Sequence, residues 1–260
     1  MVSMDYSAPP TTRPFDALFF DLGNTLIYFD GEWPEVLLRA SRKLWQSLHE
    51  AGLELDDRLF YQEFFERLNE YYIERETDCT ELTTAYLLKQ LLAEKGYPNV
   101  SESTIRSALT SMYSVSQEHW HVEEDTRAVL TELKQQGYKL GIISNAGDDQ
   151  DIQQLIDKAE MRPFFDLIIS SAAMGIRKPD PRIFEWALVQ LKVDHHRVAV
   201  IGDTLDADIL GAKAADLFSI FLTRRADTPA NRAQLDNIKP DAVIHTLGEL
   251  PDLLKSIKNN

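Results

Sequence analysis

Cysteine is nearly absent: of 260 residues only Cys79 carries a thiol. An internal disulfide and any zinc site built on several thiolates are therefore excluded, and a reducing, cytoplasmic setting is the expectation. Basic charge is also scarce. Lys and Arg number 27 against 42 Asp and Glu, a formal net charge of -15, and no Lys/Arg cluster offsets it. The electropositive footprint of a nucleic-acid binder, or of a protein that docks on an anionic membrane surface, is missing. The apolar runs are too short for a membrane span. There is no Gly-x-Gly-x-x-Gly, no P-loop and no Gly-x-Ser-x-Gly, which removes dinucleotide, P-loop nucleotide and serine-hydrolase chemistry. Neither an internal repeat nor a low-complexity tract occurs. Met1 to Pro14 lacks both the apolar core of a signal peptide and the arginine-rich character of a transit peptide, and is expected to be a frayed tail.

What is present, 44% hydrophobic and 27% charged residues, describes an ordinary globule with two textures. From about Trp33 to Val115 the apolar residues keep helical spacing. Pro34 opens a helix that Gly52 stops, Asp56 and Asp57 cap a second, Gly96 ends a third, and Ser101 starts a fourth through Ile105, Leu109 and Met112. On either side short β-rich runs alternate with helices. The runs are Ala17 to Phe20, Lys139 to Ser144, Asp166 to Ser170, Arg197 to Gly202 and Phe218 to Leu222, with Asp241 to His245 as an edge strand. Helices are expected near Thr126 to Gln136, Asp149 to Ala159, Pro181 to Leu191 and Ala207 to Ala215. Such alternation predicts an α/β fold with a doubly wound parallel sheet, interrupted after its first strand by a helical insertion. The expected boundaries are 1–14 tail, 15–30 and 119–260 α/β core, and 31–118 helical cap, with crossings near Asp30 and Glu118.

Polar islands follow four of the predicted strands. Asp21 ends the first, before Leu22-Gly23-Asn24-Thr25. Ser144-Asn145 ends the second, Lys178 follows the third, and Gly202-Asp203-Thr204-Leu205-Asp206-Ala207-Asp208 ends the fourth. In a parallel sheet these ends converge on one side, where open α/β sheets bind ligands. The residue types suit phosphoryl transfer. A carboxylate can attack phosphorus and split one displacement into two. Magnesium between Asp21 and Asp203, with Asp208 orienting its waters, would neutralise the meeting anions, while Ser144 and Lys178 would hold the transferring oxygens. Taken singly, each island has a plainer reading: Asp21 as a turn residue, Thr25 and Ser144 as helix caps, Lys178 as a solvated cation, Asp206 as a surface carboxylate.

Asp-Leu-Gly-Asn-Thr-Leu, Ile-Ile-Ser-Asn, Arg-Lys-Pro-Asp-Pro and Gly-Asp-Thr-Leu-Asp-Ala-Asp, in this order, resemble the four motifs of the haloacid dehalogenase superfamily. The helical insertion is similar to that family's C1-type cap. The resemblance implies a Rossmann-like core, Mg2+ as cofactor and hydrolysis of a small phosphorylated molecule, with monomer or dimer left open. It makes Asp21 the nucleophile and Lys178 the motif lysine. It assigns Thr25, Ser144, Asn145 and Lys178 to substrate binding, and Asp21, Gly23 (through its carbonyl), Asp203 and Asp208 to the metal.

One position departs from that pattern. Most phosphatases of this family carry a second aspartate, the general acid and base, where this chain has Gly23. Such catalysis is typically worth ~10²–10⁴ in rate, or roughly 3–5 kcal/mol of barrier. Three readings follow: a phosphohydrolase that is slow or suited to leaving groups needing no proton, a 2-haloacid dehalogenase, or a binding module without turnover. The intact Asp203 and Asp208 count against the second. Asp30, Glu32, Asp148 and Asp149 are the candidates to replace the missing acid. His119 with His121, and His195 with His196, read as surface residues.

Overall fold

A computed structural model describes residues 13–74 and 79–257. In chain order the strands are β1 (Ala17–Phe20), β2 (Ile27–Phe29), β3 (Trp120–Val122), β4 (Lys139–Ser144), β5 (Leu167–Ser170), β6 (Val198–Gly202), β7 (Phe218–Leu222) and β8 (Ala242–Ile244). The helices up to the third strand are α1 (Trp33–Glu50), α2 (Asp57–Glu74), α3 (Thr84–Glu94) and α4 (Glu102–Ser116). Those that follow are α5 (Thr126–Gln135), α6 (Asp149–Lys158), α7 (Ser171–Met174), α8 (Pro181–Leu191), α9 (Leu210–Ala214), α10 (Pro229–Gln234) and α11 (Leu250–Ser256).

The unbroken apolar character of β1 has a direct cause. Successive side chains of a strand point to opposite faces, and here both faces are covered. Leu18 and Phe20 enter one core with Val129, Leu130, Ile152, Ile156 and Leu254, from α5, α6 and α11. Ala17 and Phe19 enter another with Ile183, Phe184, Ala187 and Ala212, from α8 and α9. The main sheet runs β5-β4-β1-β6-β7-β8, and every pairing in it is parallel. A parallel sheet sandwiched in this way is the doubly wound, Rossmann-like arrangement. β8 forms its edge, as expected.

Between β2 and β3 stand the four helices of the insertion, around a core of their own that includes Leu44, Leu48, Phe60, Phe64, Leu68, Leu88 and Leu109. Their ends follow the sequence signals. Pro34 lies in the first turn of α1, and Gly52 and Gly96 take positive φ after α1 and α3. The Ser101 hydroxyl accepts the Thr104 N–H at the start of α4. The chain enters and leaves through an antiparallel ribbon that pairs Ile27 with Val122 and Phe29 with Trp120, and the Asp30 N–H continues it to His119 O at 2.7 Å.

A second link ties the insertion to the core. The N–H groups of Arg177, Glu81 and Thr84 bond to Cys79 O, Gly175 O and Gly147 O at 2.9, 3.1 and 2.8 Å. Between them the buried Glu81 carboxylate accepts from Tyr71 Oη at 2.9 Å and Ser171 Oγ at 2.7 Å.

Some expectations are corrected. Most of the supposed tail lies outside the described residues, but its last two residues are held: Arg13 Nη1 donates to Gln136 O at 2.7 Å, and Pro14 O accepts from Arg197 at 3.0 Å. The helix expected near Ala207 begins instead as a wide π-turn over Leu205–Ile209 and becomes α-helical at Leu210. The ribbon, α10 and α11 were not foreseen, being too short to show a period. No helix among the described residues is long and apolar enough to cross a membrane. Phe64, wholly buried, is central to the insertion's core, so Phe64→Ala should cost about 3–5 kcal/mol. Urea unfolding followed by tryptophan fluorescence would measure it, and a loss below about 1 kcal/mol would contradict this packing.

Candidate active site

Backbone constraints at three strand ends create the site. After β1 the chain turns back so tightly that the N–H groups of Leu26 and Ile27 both reach Leu22 O, at 2.9 and 3.1 Å. The turn needs a left-handed residue, and Asn24 supplies it at φ 57, a conformation asparagine tolerates. Asp21 is thereby fixed at the strand's end. β6 stops at Gly202, where an added Cβ would lie 2.3 Å from Asp208 Cγ. Only glycine lets Asp208 fold back over the strand end, where its carboxylate also accepts the Thr204 N–H at 3.0 Å. After β5, Lys178 is clamped by Asn145, whose carboxamide accepts the Lys178 N–H and donates to the Lys178 carbonyl, both at 2.9 Å.

These constraints bring the charges together. Lys178 Nζ donates to Asp21 Oδ1 at 2.6 Å, Asp208 Oδ1 at 2.6 Å and Ile143 O at 2.7 Å. An ammonium has three donors, and all three are used. Burial disfavours the Lys178 cation, but the Asp208 and Asp21 carboxylates outweigh it and hold the group charged. For the acids the balance tips the other way. Burial, abetted by Asp208 and against the pull of Lys178, pushes Asp21 up to about 6. Burial and the charges of Asp21 and Asp208 push Asp203 well above the usual carboxylate range.

Asp21, Asp203 and Asp208 each present an oxygen within 4.8 Å of the others. Three carboxylates against one ammonium leave two formal negative charges in a low-dielectric place. A divalent cation with oxygen preference fits that donor set.

The cluster floors a pocket of about 700 Å³, whose opposite wall includes Trp33 and Tyr72 of the insertion's first two helices. Ser144 lines it, and its hydroxyl has no hydrogen-bond partner among the described residues. Thr25 does not: it is completely buried beneath the turn, its hydroxyl 3.5 Å from Asp203 Oδ1. Asn145 lines the pocket, but its carboxamide serves Lys178. Gly23 lines it too, and a Cβ there would sit 3.3 Å from Trp120 Cη2. The space beside Gly23 is thus bounded by an indole.

None of the four proposed replacement acids reaches the pocket lining. Asp30 and Glu32 are exposed. Asp148 caps α6 and pairs with Arg106 at 2.8 Å, and Asp149 accepts from Ser170 Oγ at 2.7 Å. A carboxylate not singled out from the sequence does line it: Asp151, with Gln117 Nε2 at 2.8 Å from Oδ1. Burial, opposed by that hydrogen bond and helped by the Asp148 charge, pushes Asp151 up to about 7. Its position on α6 carried no motif.

Residues 15–216 match the family model of the haloacid dehalogenase-like hydrolases. The chain belongs to this family. Among curated relatives, it is 28% identical to the glyceraldehyde 3-phosphate phosphatase of Pyrococcus abyssi over 204 residues, 78% of this chain and 79% of that one. It is 27% identical to the N-acylneuraminate-9-phosphatase of Rattus norvegicus over 244 residues, 93% and 94% of the two chains. Among solved structures, a HAD phosphatase from Thermococcus onnurineus aligns with TM-score 0.62 at 22% identity, covering 94% of this chain and 99% of that one. A 2-haloacid dehalogenase from Pseudomonas syringae pv. Tomato aligns with the same TM-score at 24% identity, covering 93% and 98%. The two structural likenesses bear on the fold alone. As a haloacid dehalogenase-like hydrolase with phosphatases among its relatives, the chain is an enzyme of the hydrolase class.

Two outcomes follow from this geometry. Gly202→Ala must displace Asp208, and a chemical denaturation curve should show a loss of about 1–3 kcal/mol; unchanged stability would mean the strand end is looser than described. Asp151 is an acid whose folded pKa lies above its unfolded one, so its ionisation penalises the folded state, with nothing lost near pH 4 and the full penalty present above pH 7. Asp151→Asn should therefore stabilise the protein at pH 8 by about 2–4 kcal/mol and change little at pH 4. Melting curves at the two pH values would measure this, and equal effects at both would refute the shifted titration.

Proposed function

We propose that this hydrolase is a phosphatase acting on a small phosphorylated molecule through an aspartyl-phosphate at Asp21. The observation that carries this reading is the meeting of Asp21, Asp203 and Asp208 around Lys178 at the floor of one pocket. Mg2+ is the proposed cofactor, held by Asp21, Asp203, Asp208 and the Gly23 carbonyl. When bound it would supply Lewis-acid charge neutralisation, letting a carboxylate approach a phosphate. The residues around it divide the remaining work. Asp21 bonds to phosphorus as the ester P–O bond breaks and its electron pair departs with the leaving oxygen. Ser144 and Lys178 hold the non-bridging oxygens, Lys178 exchanging part of its contact with the carboxylates for contact with phosphate. Asn145 keeps that lysine in place. Water then attacks the phosphoryl group, its proton passes to phosphate or solvent, and Asp21 is restored.

The helical insertion, residues 31–118, serves as the cap. Its aromatic face closes the pocket, excludes water and reads the leaving group. Glycine at position 23 offers no acid of its own to the leaving oxygen, which favours aryl, acyl or anhydride phosphates over simple alkyl esters. Carbon–halogen cleavage is the weaker reading, because two buried acids beyond the nucleophile serve a cation rather than a halide.

The test is phosphate release from an aryl phosphate with and without magnesium. Metal-dependent release that Asp21→Asn abolishes is expected, with alkyl phosphates slower by about 10²-fold or more. Chloride release from a 2-haloacid with no phosphate release would overturn the reading. Because Trp120 borders position 23, Gly23→Asp should raise alkyl-phosphate turnover only when paired with a smaller residue at 120, and a full gain from Gly23→Asp alone would contradict the crowding.

A further inference from the structure

The wall of the pocket away from the nucleophile has its own chemistry. Asp151 lines the pocket there with Tyr113 and Tyr72, and the indole of Trp120 spans from this lining to Gly23. Its Oδ1 accepts from Gln117, which also donates to Gln154. No hydrogen bond engages its Oδ2 among the described residues, although the side chain is largely enclosed. The groups that face Asp151 can be named element by element. Asp148 stands at the start of its own helix, Arg106 and the Tyr113 phenol come from α4, and Gln117 follows α4, with Lys158 Nζ bound to Gln117 O at 2.6 Å. Arg106 is drawn away to Asp148. Among the described residues no cation forms an ion pair with Asp151 itself.

Two roles are conceivable for such a carboxyl, and its surroundings separate them. A replacement general acid would have to stand beside the leaving oxygen, within a few ångström of Asp21. Yet Asp151 stands outside the cluster that Asp21, Asp203 and Asp208 form within 4.8 Å of one another, and its carboxyl is tied instead to Gln117, just past the end of α4, at 2.8 Å. Asp151 therefore belongs to the far end of the pocket, where the body of the leaving group lies. There a half-open carboxylate among aromatic rings is the environment that recognises an organic cation, by charge pairing and by cation–π contact. An anionic leaving group would meet repulsion from the Asp151 carboxylate instead, since Arg106 is already paired with Asp148 and Lys158 with the Gln117 carbonyl.

Building on the phosphatase reading above, we infer that the substrate is a phosphate ester whose leaving group carries a protonated amine, held by Asp151 at the far wall while the phosphate sits at Asp21. An extended aromatic amine satisfies both ends. A phenolic oxygen departs without the acid that Gly23 lacks, the ring lies against Trp120 and Tyr72, and the ammonium reaches Asp151. Because Asp151 titrates near pH 7, amine recognition strengthens as the pH rises through that value while the amine stays protonated.

The experiment uses a pair of non-hydrolysable probes, 4-(2-aminoethyl)phenylphosphonate and 4-ethylphenylphosphonate, titrated calorimetrically into the magnesium-loaded full chain. Their affinity ratio cancels whatever the phosphonate contributes. The amine should bind about tenfold tighter or more at pH 8, corresponding to the removal of one enclosed charge pair, with a smaller advantage at pH 6. In Asp151→Asn the ratio should fall to near one at both pH values, and Asp151→Glu should restore part of it. Equal affinities in the wild type, or a preference that survives Asp151→Asn, would overturn the amine assignment and leave the phosphatase reading standing. Failure of both phosphonates to bind would overturn the two together.

Discussion

Three carboxylates with two fewer counter-charges than they need are held at the ends of β1 and β6, and much of the molecule serves to keep them there. Asp21, Asp203 and Asp208 would separate in water. In this fold the Asn24 turn, the missing side chain at Gly202 and the Asn145 clamp on Lys178 deny them that freedom. The sheet supplies the rigidity: β1 is buried on both faces, so displacing Asp21 means disturbing two hydrophobic cores at once. Enforced proximity of like charges is a store of unfavourable energy that a divalent cation can release on binding.

The far wall repeats this logic on a smaller scale. Asp151 is enclosed without a cation, and its raised pKa marks the penalty. An enclosed carboxylate with one oxygen bonded to Gln117 and the other without a hydrogen bond among the described residues has the signature of a binding group waiting for its partner. The position beside Gly23 is the reverse case. There a charged group has been given up and Trp120 borders the space, so one end of the pocket has lost an acid while the other holds one the motifs do not require.

How far these features could be read in advance depended on whether their cause was local. Asp21, Lys178, Asp203 and Asp208 were legible because each follows a buried strand and breaks its apolar run, a pattern visible within ten residues. The caps of α1, α3 and α4 were legible for the same reason. The placement of Thr25 was not legible: its side chain is buried beneath the loop and off the pocket lining, after a turn that sends Asn24 into left-handed space. Asp30, Glu32, Asp148 and Asp149 looked eligible by sequence distance from the motifs, yet Asp148 is used in capping α6 and pairing with Arg106, and Asp149 in accepting the Ser170 hydroxyl. Asp151 and Trp120 could not be found from sequence, since their roles arise only when α6, the ribbon and the end of α4 are folded against one another.

The central claim is that the paired acids are a divalent-cation site, and magnesium calorimetry on the wild-type protein and Asp203→Asn addresses it most directly. A saturable one-to-one isotherm in the wild type, weakened by at least about tenfold in the variant, is the predicted result. No heat of binding in the wild type, or an isotherm that Asp203→Asn leaves unchanged, would contradict it.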